Sequence, residues 1–332
     1  MDSASIIFTA PRRAEVVIEP QPDPGPGQVT VKALVSLIST GTESWCYRGE
    51  FDADSGWASW VKYPFHPGYS HVGEVIKVGE GVTNLSPGDR VFSTVSHRQF
   101  ANVPDHSVKL PDYTTDEEAA WAWLSVITQT AVRRAKHSLG DTAVVIGLGP
   151  LGQLLTQYLR VLGLREVLAV DTEKRRLDVA LDHGATRAFH GLVQDARDFV
   201  LEYTEGRLAD VVYDVTGHYS VFSHALRLAR DWGTVVLVGD TPHPSRQHLT
   251  HDLLTRQLHV LGTQNDRLGP GEQYWTSARQ IQLFFEYIHR GQMRVKDLVT
   301  HRFPPTEAAG VYEFLEQSRG ETLGVLFDWR NL

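Results

Sequence analysis

Along residues 28–40 apolar and polar positions alternate, with Val29, Val31, Ala33, Val35 and Leu37 on one face. A period of two is the pattern of a half-buried strand. Residues 71–78 and 90–94 are further strand candidates, set off by Gly79, Gly81, Pro87, Gly88 and Pro104. Short strands with frequent turns predict a β-rich barrel or sandwich for the opening third.

The texture changes after Asp112. Thr115 and Glu118 have the spacing of a capping box, and an apolar helical segment follows to about His137. From Thr142 onward, apolar runs at residues 143–147, 167–171, 210–215 and 234–239 alternate with helical patterns at 151–162, 175–183 and 221–229. That alternation predicts a doubly wound parallel α/β sheet. Beyond it, Ile281, Phe284, Phe285 and Ile288 form a helical stripe, and Pro304-Pro305 marks a turn. A second stripe of Val311, Phe314 and Leu315 leads to a strand-like ending at residues 324–329, placed to return to the first domain.

Composition narrows the function. A chain of 332 residues suggests two domains, and 42% hydrophobic with 22% charged residues describes an ordinary globular protein. Forty acidic against 32 basic residues give a net charge of −8, with no basic stripe, so nucleic acid is not an expected partner. No stretch approaches the roughly 18 to 20 apolar residues of a membrane span, and the first residues lack a basic segment followed by an apolar one. The expected location is the cytoplasm. The single cysteine, Cys46, can form neither an internal disulfide nor, alone, a thiolate metal site.

Gly147, Leu148, Gly149, Pro150, Leu151 and Gly152 form a G-x-G-x-x-G between an apolar strand and a helical stripe of Leu151, Leu154, Leu155, Tyr158, Leu159 and Leu162. In that context the glycines supply a tight turn, close approach of a pyrophosphate, and close helix–sheet packing, with the anion at the helix N-terminus. Asp171 ends the next strand nineteen residues on, where a carboxylate accepts from the ribose hydroxyls of NAD and repels a 2′-phosphate. NADP is therefore the less favoured cofactor, although Lys174, Arg175 and Arg176 follow closely.

With these residues in view, the chain resembles the medium-chain dehydrogenase/reductase family over nearly its whole length. Residues 39–43 (STGTE), 67–75 (PGYSHVGEV), 86–91 (SPGDRV) and the glycine loop occur in the family's order and approximate spacing. The resemblance implies a GroES-like β-rich catalytic domain, residues 1–120 completed by 267–332, around a Rossmann domain at 121–266. It also implies a small-molecule substrate and leaves a homodimer open as the assembly. Zinc-containing members carry Cys-Gly-x-Asp where this chain has Thr40-Gly41-Thr42-Glu43, and Gly-His-Glu where it has Gly68-Tyr69-Ser70. The cysteines of the structural-zinc lobe are also missing. Since zinc takes Cys, His or carboxylate ligands, no zinc is expected. The variant motifs and the closing Phe327-Asp328-Trp329 resemble a zinc-less branch that includes bacteriochlorophyllide dehydrogenases, beside sugar and cyclitol oxidoreductases.

Without the metal, proton transfer and stabilisation of the reacting oxygen fall to side chains. Tyr69 and Thr40 stand at the lost ligand positions, Glu43 follows in the same motif, and His97 lies in a loop after a strand; these four are the catalytic candidates. By position in the family, Thr130, Val238, Gly239 and Thr263 are candidate cofactor contacts. The expected activity is NAD(H)-dependent interconversion of a secondary alcohol and ketone on a ring-bearing substrate. The alternatives are an NADPH-dependent enone or quinone reductase of the same fold, and a nucleotide-binding protein without turnover.

Overall fold

In a computed structural model describing residues 1–332, the alternating segments form strands close to where the pattern puts them. The chain divides into two compact units. One comprises Met1–Glu50, Ser59–Trp123 and Ile281–Leu332, the other Phe51–Ala58 and Leu124–Gln280.

The first unit opens with an antiparallel ribbon of β1 (Asp2–Ala10) and β2 (Arg13–Pro20). β3 (Gln28–Ile38) is the centre of the main sheet, pairing antiparallel with β4 (His71–Val78) and β6 (Phe100–Pro104). β5 (Arg90–Ser93) joins β4, and the short β7 (Val108–Lys109) joins β5. Val29 and Val31 meet Val75, Val91, Ala101 and Val103 in one core, as the period-two pattern requires. Thr30, Ser36 and Ile38, on the face expected to be wet, are buried as well. A strand in the middle of a sheet is covered on both sides, and its polar residues must then find internal partners. The strand stops at Ile38, and a helix runs from Thr40 to Arg48, closed by left-handed Gly49. The expected capping box is present: the Glu118 N–H donates to Thr115 Oγ1, and the Thr115 N–H to the Glu118 carboxylate.

The second unit is a six-stranded, wholly parallel sheet. Its strands are β8 (Thr142–Ile146), β9 (Glu166–Asp171), β10 (Arg187–His190), β11 (Ala209–Asp214), β12 (Ala229–Leu237) and β13 (His259–Gly262). They lie in the order β10-β9-β8-β11-β12-β13. This is the doubly wound Rossmann arrangement, whose direction reverses between β8 and β11. Successive residues of β8 serve two cores: Ala143 and Val145 pack with Leu155 and Leu159 of the helix Pro150–Leu162, while Val144 and Ile146 pack with Val200 and Phe222. Burial on both faces explains why these strands read as continuous apolar runs.

The chain then returns to the first unit. β14 (Val299–Phe303) runs parallel to β15 (Gly324–Asp328), which pairs antiparallel with β3 from Val325 opposite Ile38 to Asp328 opposite Val35. The GroES-like sheet is thus built from both ends of the sequence, as expected. No helix is long and apolar enough to cross a membrane.

Gly324 makes this return possible. It lies against the wholly buried Trp121 ring, where a Cβ would collide, and that Cβ would stand 2.9 Å from the Leu298 carbonyl oxygen. Gly324→Ala should therefore destabilise the protein by about 1–3 kcal/mol, the usual cost of overfilling a packed site. Urea unfolding midpoints of the two proteins measure this; equal midpoints would contradict it.

Candidate functional site

At the carboxyl end of β8 the backbone turns sharply. Gly147 has φ +91°, and a Cβ there would meet Thr216 Cγ2 at 2.8 Å. Leu148 is wholly buried, Gly149 is the residue before the helix, Pro150 is its first residue, and Leu151 packs on the core below. Gly152 faces the Gly147 carbonyl so closely that any side chain would run into it. The helix starts without a side-chain cap, so its first N–H groups are left to a ligand or water, and its dipole favours an anion there.

Asp171 is buried at the end of β9, and its carboxylate is partly used within the protein. Oδ2 accepts the Leu148 N–H at 2.6 Å and Oδ1 the Glu173 N–H at 2.8 Å. It therefore orders the glycine loop in addition to any bond it makes to a ribose. Lys174 is held by Asp178 one helical turn away, at 2.7 Å.

The remaining positions carried over from the family are differently placed. The Thr130 hydroxyl is buried without a hydrogen-bond partner, and the Thr263 hydroxyl donates to the Leu237 carbonyl at 2.9 Å. The Val238 and Gly239 N–H groups donate to the Asp214 carbonyl at 2.9 and 3.1 Å. Gly239 packs directly on the backbone of Gly217, whose φ is +62°. Sequence reasoning missed Asp214. It ends β11 almost fully buried, and its Oδ1 accepts the Thr216 N–H (3.0 Å) and O–H (2.7 Å). The signal lay in the run Asp214-Val215-Thr216-Gly217, a carboxylate two residues before a hydroxyl at a strand end.

In the first unit the four catalytic candidates lie in or beside one polar cluster. Glu43 is 1% exposed. Its Oε1 accepts the Ser39 N–H at 2.7 Å; its Oε2 accepts the Tyr312 O–H at 2.6 Å and is 3.0 Å from His97 Nε2. The other His97 nitrogen lies 2.7 Å from Ser36 Oγ, which accepts the Trp329 indole N–H at 2.9 Å. His97 is wholly buried, with both ring nitrogens engaged. Tyr69 is only half-buried; its hydroxyl donates to Ser39 Oγ and lies 3.3 Å from Thr42 Oγ1. Desolvation of that hydroxyl, helped by the nearby Glu43 charge, pushes the phenol up to about 12. Thr40 is the buried first residue of the adjoining helix. Ser36, Ser39, Tyr312 and Trp329 were not legible as partners in the sequence.

Trp57 is buried in the second unit, while Trp60, in the first, is half-exposed against Phe65.

Burial pushes the Asp214 carboxyl up to about 6, only partly offset by the Thr216 and Gly217 bonds. A carboxyl raised in the folded state stabilises the fold while protonated, below about pH 4, and that contribution is lost as pH rises through about 6. The stability of the natural protein relative to Asp214→Asn should therefore fall by up to about 3 kcal/mol between pH 4 and 6 and stay level above. Denaturant titrations of both proteins across that range test it; a constant difference would refute it.

Comparison with known proteins agrees with this architecture. Residues 25–113 match the alcohol dehydrogenase GroES-like domain, and residues 150–276 match the zinc-binding dehydrogenase domain. A sorbitol dehydrogenase of Halalkalibacterium halodurans is 25% identical over 341 residues, covering 93% of each chain. An alcohol dehydrogenase, RspB of Escherichia coli CFT073, solved with the cofactor NADH, superposes with a TM-score of 0.81 at 20% identity, over 98% of this chain and 99% of that one. A zinc-binding dehydrogenase of Sinorhizobium meliloti bound to NADP gives 0.82 at 20% identity, over 99% of both. With both domain types present in the family's order, this chain belongs to the medium-chain, zinc-type alcohol dehydrogenase-like family.

Proposed function

We propose that the protein is an NAD(H)-dependent, zinc-independent oxidoreductase that interconverts a secondary alcohol and its ketone on a ring-bearing, polar substrate. The observation that carries this reading is the donor set where family members hold catalytic zinc. Thr40 and Tyr69 offer hydroxyls there, and the carboxylate of Glu43 and the imidazole of His97 are committed elsewhere: Glu43 to Ser39, Tyr312 and His97, and His97 to Glu43 and Ser36. Zinc is bound by thiolate, imidazole or carboxylate, so this set does not fit the ion.

The nucleotide, in contrast, has a fitting site. Gly147, Gly149 and Gly152 leave room for a pyrophosphate at the start of the helix Pro150–Leu162. Asp171 stands where a ribose is bound, and Lys174 is engaged by Asp178, which favours NAD over a 2′-phosphorylated cofactor. When bound, NAD(H) supplies or takes up the hydride. Tyr69 is the group to hydrogen-bond the reacting oxygen: its single O–H turns from Ser39 Oγ to the substrate, and the Ser39 hydroxyl then donates to the phenol oxygen. Its high pKa keeps it a neutral donor at physiological pH, suited to an oxygen that gains charge during reduction. Thr40 lines the same motif.

With hydroxyls at the metal-ligand positions, a substrate larger than a short alcohol is favoured. Without a Lewis acid, contacts to remote parts of the substrate must position the carbinol carbon, and such positioning is worth about 7–11 kcal/mol in favourable cases. The sorbitol dehydrogenase relative, named for a polyol, supports a polyhydroxylated substrate class.

The test is turnover by protein stripped with chelator, on a panel of polyols, cyclitols, cyclic ketones and short alcohols. Activity should persist without stoichiometric zinc and favour ring compounds, and NADH should bind more tightly than NADPH. Tyr69→Phe should lower turnover at least about tenfold while leaving NADH affinity nearly unchanged. A firmly held zinc, about one per chain, that activity requires would overturn the reading.

A further inference from the structure

Tyr69 is located from two directions, and both end on one carboxylate. Its phenol meets Ser39, whose backbone N–H is held by Glu43 Oε1 at 2.7 Å. Its backbone follows Gly68, a residue at φ +96° pressed so closely on the His97 ring that a Cβ would stand 2.7 Å from His97 Cδ2. That ring is in turn held by Glu43 Oε2 at 3.0 Å and by Ser36. Tyr312, from the helix Ala308–Gln317, adds a third donor to Glu43, and Trp329, just beyond β15, anchors Ser36. Glu43, His97 and Tyr312 are all buried.

We propose that Glu43 and Ser39 are positioning residues for Tyr69: the buried carboxylate fixes Ser39 and, through His97, the Gly68 turn, and Ser39 in turn fixes the phenol. This rests on the role given to Tyr69 above. It assigns Glu43 and His97 to support of the donor, with no proton of their own passed to substrate.

The arrangement also has an electrostatic side. The titratable groups around the phenol are Glu43 and Cys46 on the helix Thr40–Arg48, His71 at the start of β4, His97 in the loop before β6, and Tyr312 beyond Glu43. Burial keeps the Cys46 thiol protonated and pushes His71 down to about 4, so both are neutral at ordinary pH. Desolvation and the Glu43 charge likewise hold the Tyr312 phenol neutral. Glu43 is the neighbour that opposes ionisation of Tyr69, in addition to the larger effect of desolvation.

The experiment uses the full chain as Tyr69→Phe, Glu43→Gln, Ser39→Ala and the two double variants containing Tyr69→Phe. Tyrosinate absorbance, taken as the difference between each protein and its Tyr69→Phe counterpart, reports the ionisation of Tyr69 without any substrate. It should move to lower pH in Glu43→Gln, by about half a unit or more. Turnover should fall about tenfold in Glu43→Gln and in Ser39→Ala, but less than about twofold when either is added to Tyr69→Phe, because residues acting through one group are non-additive. An unmoved tyrosinate titration, or equal losses of turnover in both backgrounds, would overturn the proposal. Full turnover by Tyr69→Phe alone would instead overturn the donor role of Tyr69, and the titration would still report whether Glu43 governs the phenol. Should Glu43→Gln fail to fold, Ser39→Ala, which removes a single hydroxyl, decides by the same comparison of backgrounds.

Discussion

A carboxylate taken out of water must be given donors, and Glu43 obtains its donors from segments far apart in the chain. Ser39 ends the crossing from β3 to the following helix, His97 comes from the loop before β6, and Tyr312 comes from the C-terminal helix. Losing one of these donors leaves a buried polar group short of a partner, which costs about 1–3 kcal/mol. The cluster therefore constrains the first unit in a way apolar packing cannot. Val, Leu and Phe side chains tolerate small shifts, whereas a carboxylate with three donors admits few geometries.

The second unit uses carboxylates for a related purpose at its strand ends. Asp171 takes N–H groups from the glycine loop and from Glu173, and Asp214 takes the N–H and O–H of Thr216. In each case a side chain substitutes for water at backbone that has left the sheet ladder. The loops so held contain the close glycine contacts: Gly147 against Thr216, and Gly217 against Gly239. On the proposed reading, the cradle for the nucleotide is pre-shaped in this way before any ligand arrives, which lowers the ordering cost of binding.

How much of this was legible follows from the range of the interactions. Strands β3, β4 and β8 were readable because alternation and apolar runs are local consequences of burial. The capping box at Thr115 was readable because its two bonds span three residues. The helix Thr40–Arg48 was not, since its buried residues include Thr40, Glu43 and Ser44, and polar residues on the inner face erase the apolar stripe that announces a helix. Asp171 was singled out by spacing, but its bond to Leu148 depends on the folded loop. Tyr312 and Trp329 lie 269 and 293 residues from the groups they bond. No pattern within a window of sequence encodes such a pairing; it exists only because β15 returns to pair with β3.

That return links the chain's ends to the chemistry proposed for Tyr69. A metal ion needs its ligands in place and little else, because its charge is strong and acts in several directions. A hydroxyl is a weak electrophile whose effect depends on where its hydrogen points, so the rigidity of its surroundings matters more. In this chain that rigidity is supplied by Ser39, Gly68 and His97, which converge on Glu43, and Glu43 is completed only by Tyr312 from the last helix. On the proposed reading, replacing a zinc ligand by Tyr69 is workable because the β-rich unit closes on itself through its C-terminus. The same substitution in a unit lacking Tyr312 and Trp329 would leave Glu43 short of a donor and the phenol without a fixed direction.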